Sequence, residues 1–218
     1  KQILPARAPT FRNMLHAYLD NGKQYWSEFG IDLLLASKID RRVTNEESMF
    51  LPDYLMKGFD SATVGTVPLV AGKRTLIPAA AQAGEGFVVT PMMVTVALLI
   101  LGIIVTASKS RRTTNIFDGI YFFVLGLMGC FMLFMWFGTD HELCGNNYNL
   151  LWALPTHIIM AFFTGKNTPF VKKYFWVSSA ICVLILITTP FFPQEFHRAF
   201  FPLIILSAFR SAFRAIKK

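Results

Sequence analysis

Residues 88–107 read VVTPMMVTVALLILGIIVTA, twenty consecutive residues without one charged side chain. A helix of that length rises about 30 Å, the thickness of bilayer hydrocarbon. A helix apolar all round has no face to turn to water, so the stretch predicts a membrane-spanning helix. Four further apolar segments follow it. Residues 116–137 are apolar apart from Asp118 near one end, and 147–163 (NYNLLWALPTHIIMAFF) are shorter and contain Pro155 and His157. Residues 174–192 stay apolar up to a TTPFF end, and 199–216 are interrupted by Arg210 and Arg214. Those two arginines are four residues apart, so they share a helix face and are expected to snorkel toward an interface. The fold class predicted is an all-α membrane protein. Its five transmembrane helices lie at about 88–107, 116–137, 147–163, 174–192 and 199–216, preceded by a mostly helical extension with a short hairpin-like tail.

Composition agrees with this reading. Of 218 residues, 54% are hydrophobic, 22 are phenylalanine and only 16% are charged, which excludes a disordered chain and an ordinary soluble domain. The net charge of +8 is compatible with a nucleic-acid or a membrane partner. Its distribution decides. Residues 1–87 hold 10 Lys/Arg against 9 Asp/Glu, whereas 88–218 hold 11 against 4. Lys109, Arg111, Arg112, Lys166, Lys172, Lys173, Arg210, Arg214, Lys217 and Lys218 all fall on one side of the predicted topology, with Arg198 alone opposite. Basic residues resist translocation. The expected arrangement therefore puts residues 1–87 outside and the C-terminal end inside, and no nucleic-acid partner is expected. The chain starts at Lys1 without a methionine or a signal pattern, so further sequence is expected upstream.

The division is expected near Gly86: 1–87 form a helical extension and linker, 88–218 the membrane domain. Within 1–87, Thr10 can cap a helix whose Phe11, Met14, Leu15, Tyr18 and Leu19 share a face. Residues 31–35 are a second apolar run. Thr44 and Glu47 fit a capping box, and Pro52 restarts or kinks the helix that follows. Residues 64–78 are β-rich around Ala71, Gly72 and Lys73, which predicts a hairpin there.

The densest polar cluster, 140–149 (DHELCGNNYN), lies in the loop between the second and third spans. His141 and Cys144 admit a base–nucleophile reading or two zinc ligands. Asp140, Asn147 and Asn149 admit headgroup contact, or a polar turn whose asparagines cap the next helix. Trp152 follows Asn149 by about one helical turn, which suits a membrane interface. Asp118 is expected to cap its helix or pair with Arg111 or Arg112, and His157 to be a hydrogen-bonded structural residue beside the Pro155 kink. Gly126 and Gly129 are a weak small-residue contact signal. Three cysteines, two of them within apolar spans, offer no disulfide framework. No cofactor or metal is expected.

The segments FRNMLHAYL (11–19), FGIDLLL (29–35), MFLPDYLMKGFD (49–60) and FDGIYFFVLGLMG with DHELCGNNYNLLWALPTH (117–157) resemble the C-terminal part of Lnb-type lipoprotein N-acyltransferases of Gram-negative anaerobes. Such proteins carry a periplasmic papain-like domain followed by five transmembrane helices. The resemblance implies an inner-membrane protein in which an acyl chain passes from a membrane phospholipid to a cysteine thioester. From there it passes to the α-amine of a lipoprotein's diacylglyceryl cysteine. Membrane phospholipid, the lipoprotein N-terminus and the upstream catalytic domain are the implied partners. The family's catalytic His and Cys lie upstream of the FRNMLHAYL-like segment, and this chain has no matching position. The positions that match the membrane part are His141, Asn147, Asn149, Trp152 and Pro155. They are expected to contact lipid or substrate, with Asp140, Cys144, His157 and Asp118 as further candidates. A non-catalytic membrane anchor or assembly subunit is the competing expectation.

Overall fold

The computed structural model describes residues 3–77 and 88–217. The expected division near Gly86 lies outside the described residues. Contacts separate the chain into two compact units, one of residues 1–18 and 41–88, the other of residues 19–40 and 89–218. Residues 19–40, expected to belong with the rest of the extension, therefore pack with the C-terminal helices.

In the first unit, Thr10 opens α1 (Phe11–Asn21), accepting from Asn13 N at 3.1 Å. Thr44 and Glu47 form the expected capping box of α3 (Asn45–Ser48). Pro52 occupies the first turn of α4 (Pro52–Ser61), where its missing N–H costs nothing. Leu4, Met14, Val43 and Leu51 form a small core with Phe11 and Tyr54 against it. The hairpin is shorter and earlier than expected. β1 (Thr63–Val64) pairs antiparallel with β2 (Val67–Pro68). The turn falls at Gly65, whose φ of +62 suits the first position of a type II′ turn. Ala71, Gly72 and Lys73 form no turn, and Pro78 lies outside the described residues.

The second unit begins with α2 (Tyr25–Leu34) and continues through α5 (Pro91–Ala107), α6 (Arg111–Phe137), the short α7 (His157–Met160), α8 (Pro169–Thr188) and α9 (Phe200–Ile216). Caps set the starts. Thr90 and Thr168 each accept from a backbone N–H three residues on and are each followed by proline, and Ser110 caps α6 in the same way. Residues 111–137 and Pro169–Phe191 are long and apolar enough to cross a membrane, and α5 is a shorter apolar helix. Their outward faces carry Ile100, Ile104, Ile120, Leu127, Phe134, Leu184 and Ile187, all more than half exposed. Large apolar side chains this exposed on three helices suit lipid rather than water.

α9 is the interior helix. Phe200, Leu203, Ile204, Leu206 and Ala208 are buried, and it packs against both α8 and α5. The segment 147–163, read as a third continuous span, is not one helix. It runs as a 3₁₀ turn over Tyr148–Leu151, a break at Pro155, α7, and a second 3₁₀ turn over Ala161–Phe163. Proline cannot donate the backbone bond that would carry a helix through. Such irregular backbone is tolerated at membrane depth where protein covers it, and α6 supplies that cover. A Cβ on Gly126 would strike the backbone of His157 and Ile158, and one on Gly129 the backbone of Ala153 and Pro155. The two glycines are thus the close-contact surface for the broken segment.

Candidate functional site

A helix ends with carbonyls that have no intrahelical partner. At the end of α2 these are satisfied by two asparagine side chains from the loop before α7. Asn147 Nδ2 donates to Leu33 O at 2.8 Å and to Leu34 O at 3.2 Å. Asn149 Nδ2 donates to Asp32 O at 3.0 Å and to Leu33 O at 3.2 Å. The oxygens of both amides are used as well. Asn147 Oδ1 accepts from Asn149 N at 3.0 Å, and Asn149 Oδ1 from Trp152 Nε1 at 3.1 Å. Gln194 closes the arrangement, accepting from Tyr148 N at 2.8 Å. Ala36 N donates to Leu143 O at 2.9 Å, extending the contact past the helix end. Asn147, Asn149 and Trp152 are all buried. Trp152 packs against Phe200 with ring centroids 5.4 Å apart. Its ring is enclosed by protein rather than exposed to lipid.

The remaining candidates of this loop separate. His141 and Asp140 are exposed, and His141 Nδ1 bonds Thr139 Oγ1 at 2.9 Å. Cys144 is buried, and burial pushes its thiol above the ordinary value. That is the reverse of what an activated nucleophile needs. Pro155 is half-buried, with its carbonyl facing the Cys130 thiol at 3.9 Å.

His157 is completely buried and serves as a hydrogen-bonded structural residue. Its Nδ1 bonds Tyr174 Oη at 2.8 Å and its Nε2 lies 3.4 Å from Ser178 Oγ, which reaches Ser211 Oγ at 3.1 Å. Tyr174 in turn bonds Thr156 at 2.8 Å. One polar chain thus joins α7, α8 and α9 through the apolar interior.

Asp118 is also completely buried, and it pairs with neither Arg111 nor Arg112. Arg210 grips it through Nε to Oδ1 at 2.6 Å and Nη2 to Oδ2 at 2.8 Å. Arg214 Nε donates to Oδ2 as well. Arg210 further reaches Thr106 Oγ1, while Arg214 Nη1 donates to Asn115 Oδ1 at 2.7 Å and Thr164 O at 2.8 Å. The expected snorkelling is therefore wrong in direction. The i, i+4 face carrying both arginines points inward because a carboxylate waits there, and it ties α9 to α5, α6 and the end of the broken segment. Removing these two from the loop count leaves eight basic residues on that side against Arg198, so the charge asymmetry survives.

Sequence reading missed the partners. Gln194, Tyr121, Ser207 and Ser178 are buried and hydrogen-bonded; Tyr121 Oη donates to Leu203 O at 2.9 Å and lies 2.6 Å from Ser207 Oγ. The available signal was the serines at 178, 179, 207 and 211 inside apolar helices, since small polar residues join helices in membranes.

No curated protein and no solved structure matches the chain. A family model described as the Lnb transmembrane domain matches residues 82–218. The match takes in α5 to α9, the broken segment under Gly126 and Gly129, the two asparagines of the clamp and the Asp118 network, while α2 lies before it. This is a membrane protein, and the chain belongs to the Lnb transmembrane domain family.

Proposed function

We propose that this chain is the membrane-embedded part of a bacterial lipoprotein N-acyltransferase. It works beside an upstream catalytic domain that carries the acyl chain from phospholipid to the α-amine of a diacylglyceryl cysteine as a cysteine thioester. The observation that carries this reading is the family match over residues 82–218. The bundle crosses the inner membrane five times in this reading, with α5, α6, the broken segment, α8 and α9 as the crossings. The basic ends at 109–112, 166–173 and 217–218 lie in the cytoplasm. The loop 140–149 then faces the periplasm, where the acceptor amine must arrive.

The clamp supports a positioning role. Asn147 and Asn149 hold α2, which precedes the spans, on the bundle end where the exposed His141 and Asp140 stand. No described side chain of this loop combines exposure with an activated nucleophile, so bond making is assigned to the upstream domain. The same observation favours a second reading, a non-catalytic anchor. Substitution separates the two. In the full-length protein, His141→Ala and Asp140→Ala, both at exposed positions, should lower lipoprotein N-acylation at unchanged protein level. Normal N-acylation in both variants, with protein level intact, leaves the anchor.

A further inference from the structure

At the end of the bundle opposite the asparagine clamp, a cleft is lined by Arg111, Asn115, Lys166, Asn167, Arg214 and Lys217 among others, with no Asp or Glu on its wall. Its enclosed part is small, about 10 Å³, and the rest opens to solvent. Four cations thus face one small volume. Two of them are exposed rim residues, Arg111 and Lys166. Arg214 differs, because its side chain is only 4% exposed, and its Nη2 is buried without a hydrogen-bond partner among the described residues. A buried guanidinium N–H left unpaired is costly. Nor does the interior neutralise it: Asp118 brings one negative charge to two arginines. The Lys217 ammonium is held below its usual value, first by burial and then by repulsion from Arg214 and Arg111. The N-terminus of α6 brings its positive end to the same place and the C-terminus of α9 its negative end, so the side-chain cations set the sign of the site.

Immediately along α6 the surface changes character. Ile116, Gly119, Ile120 and Phe123, with Ala161 and Phe162 from the broken segment, line an open apolar groove of about 450 Å³. The chain leads directly from one to the other, Asn115 to Ile116 on α6 and Ala161 to Thr164 on the facing turn. A cationic cleft continuous with an apolar groove fits a molecule with an anionic head and a hydrocarbon tail.

We propose that this end of the bundle is a binding site for an anionic phospholipid. The phosphate sits among Arg111, Arg214, Lys166 and Lys217, and one acyl chain lies along Ile116, Ile120, Phe123 and Phe162. The site is at the end opposite the 140–149 loop, so the lipid is a bound component of the bundle and not the acyl donor. Guanidinium and ammonium groups together supply the fork and the point charge that phosphate oxygens accept.

The test uses the purified chain in a neutral detergent, titrated with short-chain phosphatidylglycerol, phosphatidylcholine, glycerol 3-phosphate or inorganic phosphate. Dissociation constants are read from thermal shift and from adducts in native mass spectrometry. Phosphatidylglycerol is expected to bind at least ten-fold more tightly than the other three. The rim variant Arg111→Gln/Lys166→Gln leaves the Asp118 pairs intact and should weaken phosphatidylglycerol about thirty-fold. Equal binding of phosphatidylcholine overturns the charge assignment. Equal binding of glycerol 3-phosphate or inorganic phosphate overturns the lipid in favour of a free anion. An unchanged constant in the rim variant overturns the site.

Discussion

Arg210 holds Asp118 by two hydrogen bonds of 2.6 and 2.8 Å, and both side chains are completely buried. The pair joins the middle of α9 to the start of α6, 92 residues apart in sequence. Removing one partner of such a pair strands the other's charge in a low-dielectric interior. Asp118→Asn keeps the shape and leaves two guanidinium groups uncompensated. It should cost about 3–5 kcal/mol, measured as a lowered unfolding midpoint in detergent. The triple variant Asp118→Asn/Arg210→Met/Arg214→Met should recover part of the loss. A single variant that melts like the parent would remove the ion pair from the account.

The clamp on α2 predicts a local effect. Asn149→Ala takes donors from Asp32 O and Leu33 O and leaves the Trp152 N–H unpaired. Each stranded buried group costs about 1–3 kcal/mol. Limited proteolysis should cut within residues 25–34 at least ten-fold faster than in the parent, while α8 and α9 stay resistant. Equal cleavage rates would mean that the amide does not hold the helix end.

Close contact beneath α6 predicts a contrast between glycines. Gly126→Ala and Gly129→Ala require backbone to move, so each should cost about 1–3 kcal/mol. Gly30→Ala meets no atom within 4 Å in α2 and should stabilise by about 0.5–1 kcal/mol. Thermal midpoints of the three variants check the sign of each.

Thiol chemistry carries a pH signature. Burial raises the Cys144 pKa, so at any given pH its thiolate fraction is below that of an exposed cysteine. Alkylation of the native protein by a maleimide should be slow at Cys144, and its pH profile displaced upward relative to the same residue in denatured chain. A native rate at or above the denatured rate would revive a nucleophilic role.

Glu47 supplies a second titration. Hydrogen bonds from Arg41 first and Thr44 next hold its carboxyl at about 2, below the ordinary 4.5. A depressed folded value means the stabilisation is complete above pH 4.5 and lost as pH falls toward 2. Glu47→Gln should therefore flatten the acid side of the first unit's stability profile between those limits, followed by circular dichroism.

Legibility in the sequence followed locality. Local start signals stand at Thr90-Pro91 and Thr168-Pro169, where cap and proline sit side by side, although the expected spans began at 88 and 174. The capping box at Thr44 and Glu47 was readable for the same reason. The break of the third segment was half-readable: Pro155 announced a kink, but only the backbone contacts of Gly126 and Gly129 show how far the helix is replaced by turns. Partner choice was not readable. Asp118 lies a helical turn or two from Arg111 and Arg112 and chose arginines 92 and 96 residues away. Helix capping by the 147–149 asparagines was foreseen, but their amides turned to α2, more than 110 residues back. Nothing in a local pattern reports such a partner.

We propose that residues 88–218 take part in lipoprotein N-acylation beyond holding a domain at the membrane. It is tested most directly by replacing 88–218 in the full-length protein with an unrelated five-helix anchor of the same topology. Mass spectrometry of lipoprotein N-terminal peptides then reads the modification. N-acylated termini should disappear while the chimera accumulates normally in the membrane; N-acylation at the parental level would reduce residues 88–218 to an anchor.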